Sequence, residues 1–229
     1  RLRPVCVALP GRRHTPGAHC CGWRQTMMTE AAVMNVLITG VGGQGNVLAA
    51  HLLGVLAQRQ GYRVVVGEVY GLSQRGGSVV SHVRLTTGAT VPPLVAQGEA
   101  QVIVGLEPLE ALRQLCLVGD RSTHMVVNSR PEVPVNVMTG HSPALSVEAI
   151  LRELRLLADN VTILDGLELA RQAGGVQTLN LVMLGALIGS GCPPLRAAGM
   201  AEVVAEVLGA AKAALNMAAF QAGLAAVTA

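Results

Sequence analysis

The pattern of apolar and polar residues predicts alternating strands and helices from Met34 onward. A short apolar run, Val36 to Ile38, is followed by four glycines within six residues, and then by leucines and valines at helical spacing. The run is too short for a helix and suits a buried strand, whereas the spacing that follows predicts a helix from about Gly43 to Gln60. A strand, a glycine turn and a helix in this order open a nucleotide-binding βαβ unit.

The glycine turn offers two interpretations. Gly40, Gly42 and Gly45 fit the pattern G-x-G-x-x-G, in which the chain turns tightly and the helix N-terminus presents unpaired N–H groups to a phosphate. The alternative is structural, because glycines at these positions also allow a helix to pack closely against a strand. The turn by itself leaves both interpretations open.

A second glycine segment follows the next predicted strand, Tyr62 to Val69. The segment Tyr70 to Ser78 reads YGLSQRGGS and leads into an alternating strand, Ser78 to Leu85, which is polar on one face toward its end. Consecutive glycines let a ligand approach the backbone, and Arg75 beside them has forked donors that suit phosphate, although a solvated loop arginine is the alternative. Glu68 lies where a dinucleotide site would hold a ribose, so an NAD-binding protein is a rival hypothesis.

The rest of the chain continues the alternation and ends in helices. The predicted elements are strand Gln101–Leu106, helix Pro108 to about Val118, strand His124–Asn128, a helix opening at Ser146, strand Val161–Leu164, helix Thr178–Gly189 and two Ala-rich segments with a break near Gly209. This order predicts a single doubly wound, Rossmann-like α/β domain with a mostly parallel sheet and a helical C-terminus. Its ligand-facing edge is expected where Gly40–Gly45 and Tyr70–Gly77 converge.

Residues 1–33 show neither helical nor strand periodicity. They are rich in Pro, Gly, Arg and His and lack the apolar run of a signal peptide. We predict that they form a disordered extension, or an over-extended translation start, because Met27, Met28 and Met34 are all possible first residues. An Arg-rich targeting leader is the alternative. The predicted domain is therefore 34–229.

Composition and charge narrow the possible functions. The net charge of +3 arises in residues 1–33, whose five Arg and one Glu leave 12 basic and 13 acidic side chains for the remainder. The domain therefore has no basic stripe for nucleic acid. The longest uncharged apolar stretch, Leu179 to Gly189, is far shorter than the roughly 20 residues that span a bilayer. The five cysteines form no C-x-x-C pair, which argues against an iron–sulfur or zinc site in this chain and suits a reducing cytoplasm.

Five segments together resemble the gamma-type subunit of the 2-oxoacid:ferredoxin oxidoreductases. They are GVGGQGNVLAAHLLG (40–54), EVYGLSQRGGSVVSHVR (68–84), GLEPLEALR (105–113), TLNLVMLGALIG (178–189) and LNMAAFQAG (215–223). The pair of glycine motifs at this separation is the most specific element. The segment GLEPLEALR is most similar to the beta subunit of the indolepyruvate enzymes, and the pyruvate and 2-ketoisovalerate gamma subunits are alternatives.

The resemblance implies the oxidative decarboxylation of a 2-oxoacid with coenzyme A to acyl-CoA, CO2 and reduced ferredoxin. Thiamine diphosphate and 4Fe-4S clusters are expected in a large partner subunit, with neither bound by this chain alone. The sequence agrees, since it lacks cluster-type cysteine spacing and a G-D-G followed by paired Asn. Ala201–Ala222 is expected to contribute apolar surface to the contact with that partner.

The resemblance also carries a set of coenzyme A-binding candidates and no catalytic residue. These candidates are Gly42, Gly43, Gln44, Gly45, Gln74, Arg75, Gly76, Gly77 and Asn180. The second glycine segment has fewer basic residues than in the single-chain pyruvate enzymes. A non-catalytic assembly subunit with a relict glycine loop is therefore a further alternative, beside the NAD-linked reductase.

Overall fold

Six β-strands form one mixed sheet in the computed structural model, which describes residues 32–71, 77–132 and 146–228. The strands are β1 (Val33–Val41), β2 (Arg63–Tyr70), β3 (Ser78–Thr86), β4 (Val102–Gly105), β5 (His124–Asn128) and β6 (Asn160–Leu164), in the spatial order β2-β3-β1-β4-β5-β6. Strand β3 is antiparallel to both of its neighbours, and the other five run in one direction.

Seven helices in the described residues cover the two faces of the sheet. They are α1 (Asn46–Arg59), α2 (Pro108–Val118), α3 (Val147–Leu157), α4 (Gly166–Gln172), α5 (Leu179–Gly189), α6 (Met200–Leu208) and α7 (Ala210–Thr228). Buried side chains of α1 and α4–α7 form one core with the sheet, and those of α2 and α3 form a second core on the opposite face. This arrangement confirms the predicted doubly wound, mostly parallel fold with a helical C-terminus.

Most element boundaries agree closely with the sequence pattern. Helix α2 begins at Pro108 as predicted. The break between α6 and α7 falls at Gly209, whose φ of 80° ends the helix and is a conformation that glycine adopts far more readily than other residues. Strand β1 begins at Val33, the last residue of the predicted extension, and residues 1–31 lie outside the described part of the chain. Helix α4 was not predicted from the sequence.

Strand β3 has the predicted polar face, and the structure buries both faces of the strand. The polar face carries His82 and Arg84, which are 5% and 6% exposed. An irregular segment, residues 87–101, covers this face in place of a helix. The pattern therefore identified the strand and its polar face, and the cover over that face became known only from the structure.

Arg84 fastens that covering segment to the sheet. Its Nε donates to the Asn35 side-chain oxygen at 2.8 Å, and its Nη1 donates to the carbonyl oxygens of Pro92 and Leu94 at 3.1 and 3.0 Å. Its Nη2 lies 3.6 Å from a Glu99 carboxylate oxygen. A buried guanidinium is tolerated here because these acceptors replace its water.

His82 makes a second attachment on the same face. The backbone N–H of Val95 donates to its Nδ1 at 3.2 Å, so the neutral imidazole is the form that the fold uses. Burial, and then the nearby Arg84 charge, lower the pKa of His82 below its usual value. Burial likewise lowers the pKa of His124.

Helices α5 and α7 pack with their backbones in contact. A methyl group on Gly185 would overlap the Phe220 carbonyl oxygen, and one on Gly223 would overlap the Val182 carbonyl oxygen. Only 2% of the residues are aromatic, so the core between these helices is filled by close backbone contact instead of by large rings. Phe220 itself is fully buried between these helices and the rest of the core.

The expected apolar surface on Ala201–Ala222 consists of alanine methyl groups. The large apolar side chains of this stretch are buried or half-buried because α7 packs along α5, and the exposed apolar positions are Ala201, Ala210, Ala211, Ala214 and Ala218. The contact of this stretch with a partner subunit stays a prediction. The large apolar side chains that are exposed among the described residues lie elsewhere, at Val47, Val66, Val69, Tyr70, Leu94, Leu117, Leu156 and Val176. Within the described ranges, no helix is both long and apolar enough to cross a membrane.

We predict that Gly185→Ala destabilises the chain by about 1–3 kcal/mol, because the added methyl group must separate α5 from α7. The melting temperature should fall by about 4–10 °C, measured by calorimetry or circular dichroism. Gly54→Ala in α1 is the matched control, since its methyl group would lie 3.4 Å from Val64 Cγ1, an ordinary contact. Equal melting temperatures for the two variants would contradict the packing described.

We also predict that stability falls as the pH drops below about 6.5, because the unfolded chain binds protons that folded His82 and His124 resist. Each histidine contributes up to about 1.4 kcal/mol per pH unit in this range. His82→Asn keeps an acceptor for the Val95 N–H and cannot be protonated. Denaturant titrations at pH 7.5 and 5.5 should show a smaller pH-dependent loss in this variant than in the wild type, and an unchanged loss would be inconsistent with a buried neutral His82.

Candidate functional site

The carboxyl ends of the parallel strands meet at one edge of the sheet, and the chain changes direction there. From β1 the chain proceeds through α1 to β2 and β3 on one side, whereas β4, β5 and β6 extend on the other side. Helices α1 and α2 consequently lie on opposite faces. The crevice between the ends of β1 and β4 is therefore a topological switch point, the place where doubly wound domains bind ligands.

The structure brings Gly77, near the end of the second glycine segment, beside the first glycine segment at this crevice. Strand β3 starts beside the end of β1, with Ser78 opposite Val41. The backbone N–H of Gly42 donates to the Gly77 carbonyl oxygen at 2.9 Å, which ties the start of the first segment to the end of the second. The antiparallel pairing of β1 and β3 thus places Gly77 and the first glycine segment together at the mouth of the crevice.

The side chain of Gln44 closes the first loop on itself. Its Oε1 accepts from the Val41 N–H at 2.8 Å, and its Nε2 makes a long contact of 3.5 Å with the Leu106 carbonyl oxygen at the end of β4. The Asn46 side-chain amide adds a bond to the Val41 carbonyl oxygen at 3.3 Å. Gly40 leaves the room for this arrangement, since a side chain there would collide with Gln44 and Asn46. Gln44 thus shapes the loop through protein contacts of its own.

Gly45 and Asn180 meet behind the loop. Gly45 precedes α1 with a φ of 81°, and no side chain caps the helix. Its carbonyl oxygen accepts from the Ala49 N–H at 2.9 Å and from Asn180 Nδ2 at 3.3 Å. Asn180 is 2% exposed, so the structure places it as a support beneath the loop, while the uncapped N-terminus of α1 points its dipole toward the crevice.

Two buried carboxylates stand at the start of α2, beside the end of β4. Glu107 caps the helix by accepting from the Glu110 N–H at 2.8 Å, and burial raises the pKa of Glu107 above its usual value. One oxygen of Glu110 pairs with Arg113, and the other has no hydrogen-bond partner in the structure. In this geometry the main role of Glu107 and Glu110 is to stabilise the start of α2 at the carboxyl edge of the sheet.

Asn128 is a residue of this edge that the sequence analysis missed. It lies at the end of β5, is 1% exposed, and its amide joins the ends of three strands. Its position directly after an apolar strand was the available signal, because polar residues at the carboxyl ends of parallel strands commonly belong to sites.

Glu68 is separated from the glycine loop by a whole strand. In a dinucleotide site the strand with the ribose-binding acid pairs with the first strand, whereas here β3 lies between β1 and β2. At about 4.8 Å per strand, β2 is roughly 10 Å from β1. The side chain of Glu68 is exposed and accepts from the Tyr70 hydroxyl. The geometry does not favour a dinucleotide ribose at Glu68.

An open cavity beyond the ends of β5 and β6 is lined by Arg130, Leu167, Glu168, Arg171 and Val176. Both arginines are already paired, Arg130 with Asp165 and Arg171 with Glu168. These partners hold the pKa of Asp165 below its usual value and lower that of Glu168 to about 2. The cavity is therefore close to neutral and offers little attraction to an anion.

Three predicted site residues, Gln74, Arg75 and Gly76, lie outside the described residues, and Gly77 is the site candidate of the second segment that the structure places. Gly43 is exposed at the tip of the first loop with open space around it. Within 32–71, 77–132 and 146–228, no group of three or more His, Cys, Asp or Glu side chains is arranged to hold a metal ion.

Residues 35–226 match the pyruvate ferredoxin/flavodoxin oxidoreductase family. Among characterised proteins, indolepyruvate oxidoreductase subunit IorB of Pyrococcus horikoshii is 40% identical over 194 residues, covering 83% of this chain and 94% of the relative. The protein of the same name from Archaeoglobus fulgidus is 34% identical over 190 residues, covering 83% and 93%.

Two solved structures share the fold. The gamma subunit of a keto/oxoacid ferredoxin oxidoreductase from Geobacter sulfurreducens has a TM-score of 0.61 at 20% identity, covering 85% of this chain and 98% of its own. The 2-oxoglutarate:ferredoxin oxidoreductase from Magnetococcus marinus, with 2-oxoglutarate, coenzyme A and succinyl-CoA bound, has a TM-score of 0.63 at 17% identity. The match covers 86% of this chain and 31% of that one.

Proposed function

Because this chain belongs to the pyruvate ferredoxin/flavodoxin oxidoreductase family, we propose that it is the small subunit of a 2-oxoacid:ferredoxin oxidoreductase that acts on indolepyruvate or a related arylpyruvate. The proposed reaction joins the acyl group of the 2-oxoacid to coenzyme A, releases CO2 and passes two electrons to ferredoxin. Support for the aromatic substrate comes from the IorB relatives at 31–40% identity. Pyruvate and 2-ketoisovalerate are the alternative substrates.

The division of labour follows from what the chain contains. Thiamine diphosphate and 4Fe-4S clusters are assigned to a large partner subunit, because this sequence has neither the cysteine spacing nor the thiamine motif that they require. This chain is assigned the part of the active site that receives coenzyme A. The complex is therefore a hetero-oligomer, and the small subunit is active only with its partner.

One observation supports the assignment of coenzyme A: the hydrogen bond from the Gly42 N–H to the Gly77 carbonyl oxygen joins the first glycine segment to Gly77 at the switch point of the sheet. Beside it, the uncapped N-terminus of α1 offers N–H groups and a positive dipole end to a phosphate. Gly42, Gly43, Gly45 and Gly77 keep side chains out of the approach. The proposed contacts are made by this backbone together with Gln74, Arg75 and Gly76.

Gln44 and Asn180 are assigned supporting roles within the same site. Both were candidates for direct binding, but their amides are engaged by Val41, Leu106 and Gly45. We propose that they set the shape of the loop rather than contact coenzyme A. An assembly subunit with a relict loop is the rival function, and it predicts no change in kinetics when the loop is altered.

The substrate assignment is tested with the complex co-purified from its native source or reconstituted from both subunits. Ferredoxin reduction is followed with indolepyruvate, phenylpyruvate, pyruvate and 2-ketoisovalerate, each with coenzyme A. We expect kcat/KM for the arylpyruvates to exceed that for pyruvate by at least about 100-fold. Pyruvate has no aromatic side chain to fill the pocket and therefore lacks several kcal/mol of the binding free energy that an arylpyruvate gains. A preference for pyruvate or 2-ketoisovalerate would overturn the assignment.

Arg75→Ala tests the coenzyme A site in the same complex. Loss of a charge-assisted hydrogen bond to phosphate should raise the KM for coenzyme A by about 10- to 100-fold. The KM for the 2-oxoacid should change little, because that site is assigned to the partner. Arg75→Lys should recover part of the loss, since it keeps the charge without the forked geometry.

Arg63→Ala is the matched control, because Arg63 is an exposed arginine at the start of β2, at the end of the sheet opposite the crevice. A normal KM for coenzyme A in Arg75→Ala, accompanied by weaker assembly with the large subunit, would make the second glycine segment an interface element instead of a ligand site.

A further inference from the structure

The Asn128 side chain uses all of its hydrogen-bonding capacity on the carboxyl edge. Its Nδ2 donates to the carbonyl oxygens of Leu106 at 3.0 Å and Arg130 at 3.2 Å. Its Oδ1 accepts from the Gly166 N–H at 3.1 Å and the Arg130 N–H at 3.4 Å. One buried amide thus links the end of β5 to the ends of β4 and β6.

The first of these bonds leads to the glycine loop. The Leu106 carbonyl oxygen that accepts from Asn128 is also the oxygen that Gln44 Nε2 approaches at 3.5 Å. The Leu106 N–H in turn donates to the Thr39 carbonyl oxygen at 2.8 Å, just before the loop. The peptide at the end of β4 is therefore held between Asn128 on one side and the loop on the other.

The Gly166 bond leads to the same loop by a second route. Gly166 packs directly against α5, since a methyl group on it would lie 2.9 Å from Met183 Sδ and 3.0 Å from Leu179 Cδ1. Asn180, the next residue of α5, donates to the Gly45 carbonyl oxygen. Contacts from Asn128 thus reach the loop by two routes that meet at its C-terminal end, one at the Gln44 side chain and one at the Gly45 carbonyl oxygen.

We propose that Asn128 is a positioning residue that fixes the Val41–Gly45 loop from across the crevice. It touches no ligand in this proposal and acts through Leu106 and Gly166. The expected effect on coenzyme A rests on the proposed function, but the effect on the loop itself does not. Asparagine is specified because the site needs two donors and two acceptors on one short planar group.

Asn128→Asp is the most informative substitution. It keeps the shape and the acceptor for Gly166, but it turns a carboxylate oxygen toward the carbonyl oxygens of Leu106 and Arg130, which repels both. Asn35→Asp is the matched control. Asn35 is 4% exposed and also uses Nδ2 on a backbone carbonyl, that of Glu99, but it lies near the opposite end of β1.

Hydrogen exchange on the full chain measures the loop directly. The amides of Val41, Gly42 and Gln44 are protected by hydrogen bonds within the loop and to Gly77. We expect Asn128→Asp to speed their exchange by about 10-fold or more, while amides in the middle of α1 and α5 keep their wild-type rates. Asn35→Asp should leave the loop amides unchanged.

Kinetics of the complex with its large subunit provide the second readout. Asn128→Asp should raise the KM for coenzyme A by about 5- to 20-fold and change kcat less than about twofold, because a loosened loop weakens binding without removing a reacting group. A general loss of folded enzyme would lower the apparent kcat instead.

The two measurements separate the two claims. Faster loop exchange with an unchanged KM for coenzyme A would support the positioning role and overturn the coenzyme A assignment of the loop. Unchanged exchange of the loop amides would overturn the positioning role, whatever happens to KM. If Asn128→Asp does not fold, Asn128→Ser, which removes the reach of Nδ2 without adding charge, decides by the same criteria.

Discussion

The antiparallel pairing of β3 against β1 is the constraint on which the site depends. The two strands pair along their whole length, from Val33 opposite Thr86 to Val41 opposite Ser78. This register sets Gly77 beside Gly42, so two glycines more than 30 residues apart in sequence lie at one mouth. Because β3 is inserted between β1 and β2, β2 lies at the edge of the sheet and Glu68 lies away from the crevice.

The insertion also creates a cost that the fold must offset. A strand placed between β1 and β2 needs cover on both faces, and among the described residues α2 and α3 cover the face opposite α1 beside other strands. Residues 87–101 provide that cover, with Arg84 and His82 supplying the donors and acceptors that an irregular backbone requires. The polar groups on β3 are therefore buried because they form the hydrogen bonds that hold the irregular segment against the sheet.

The sequence predicted the parts of this structure that depend on local periodicity. Strands and helices such as β5 and α2 agree with the pattern, because a buried face repeats at a fixed spacing wherever the element lies. Strand order could not be obtained in this way, since the position of β3 depends on pairing between distant residues. His82 and Arg84 look like solvent-facing positions until the covering segment is placed, and α4 is too short for its pattern to stand out. At the candidate site, the motifs singled out the glycines and Asn180 as predictions, whereas Asn128 acquires its meaning only when three strand ends are adjacent.

The backbone contact between α5 and α7 has a consequence for how the molecule responds to change far from the crevice. Two helices that touch through Gly185 and Gly223 cannot slide or rotate past one another without a collision of main-chain atoms. Asn180 lies in the first turn of α5 and supports the loop at Gly45. The C-terminal helix therefore braces the helix that supports the loop, so a change in α7 that shifts α5 would also displace the Gly45 end of the loop.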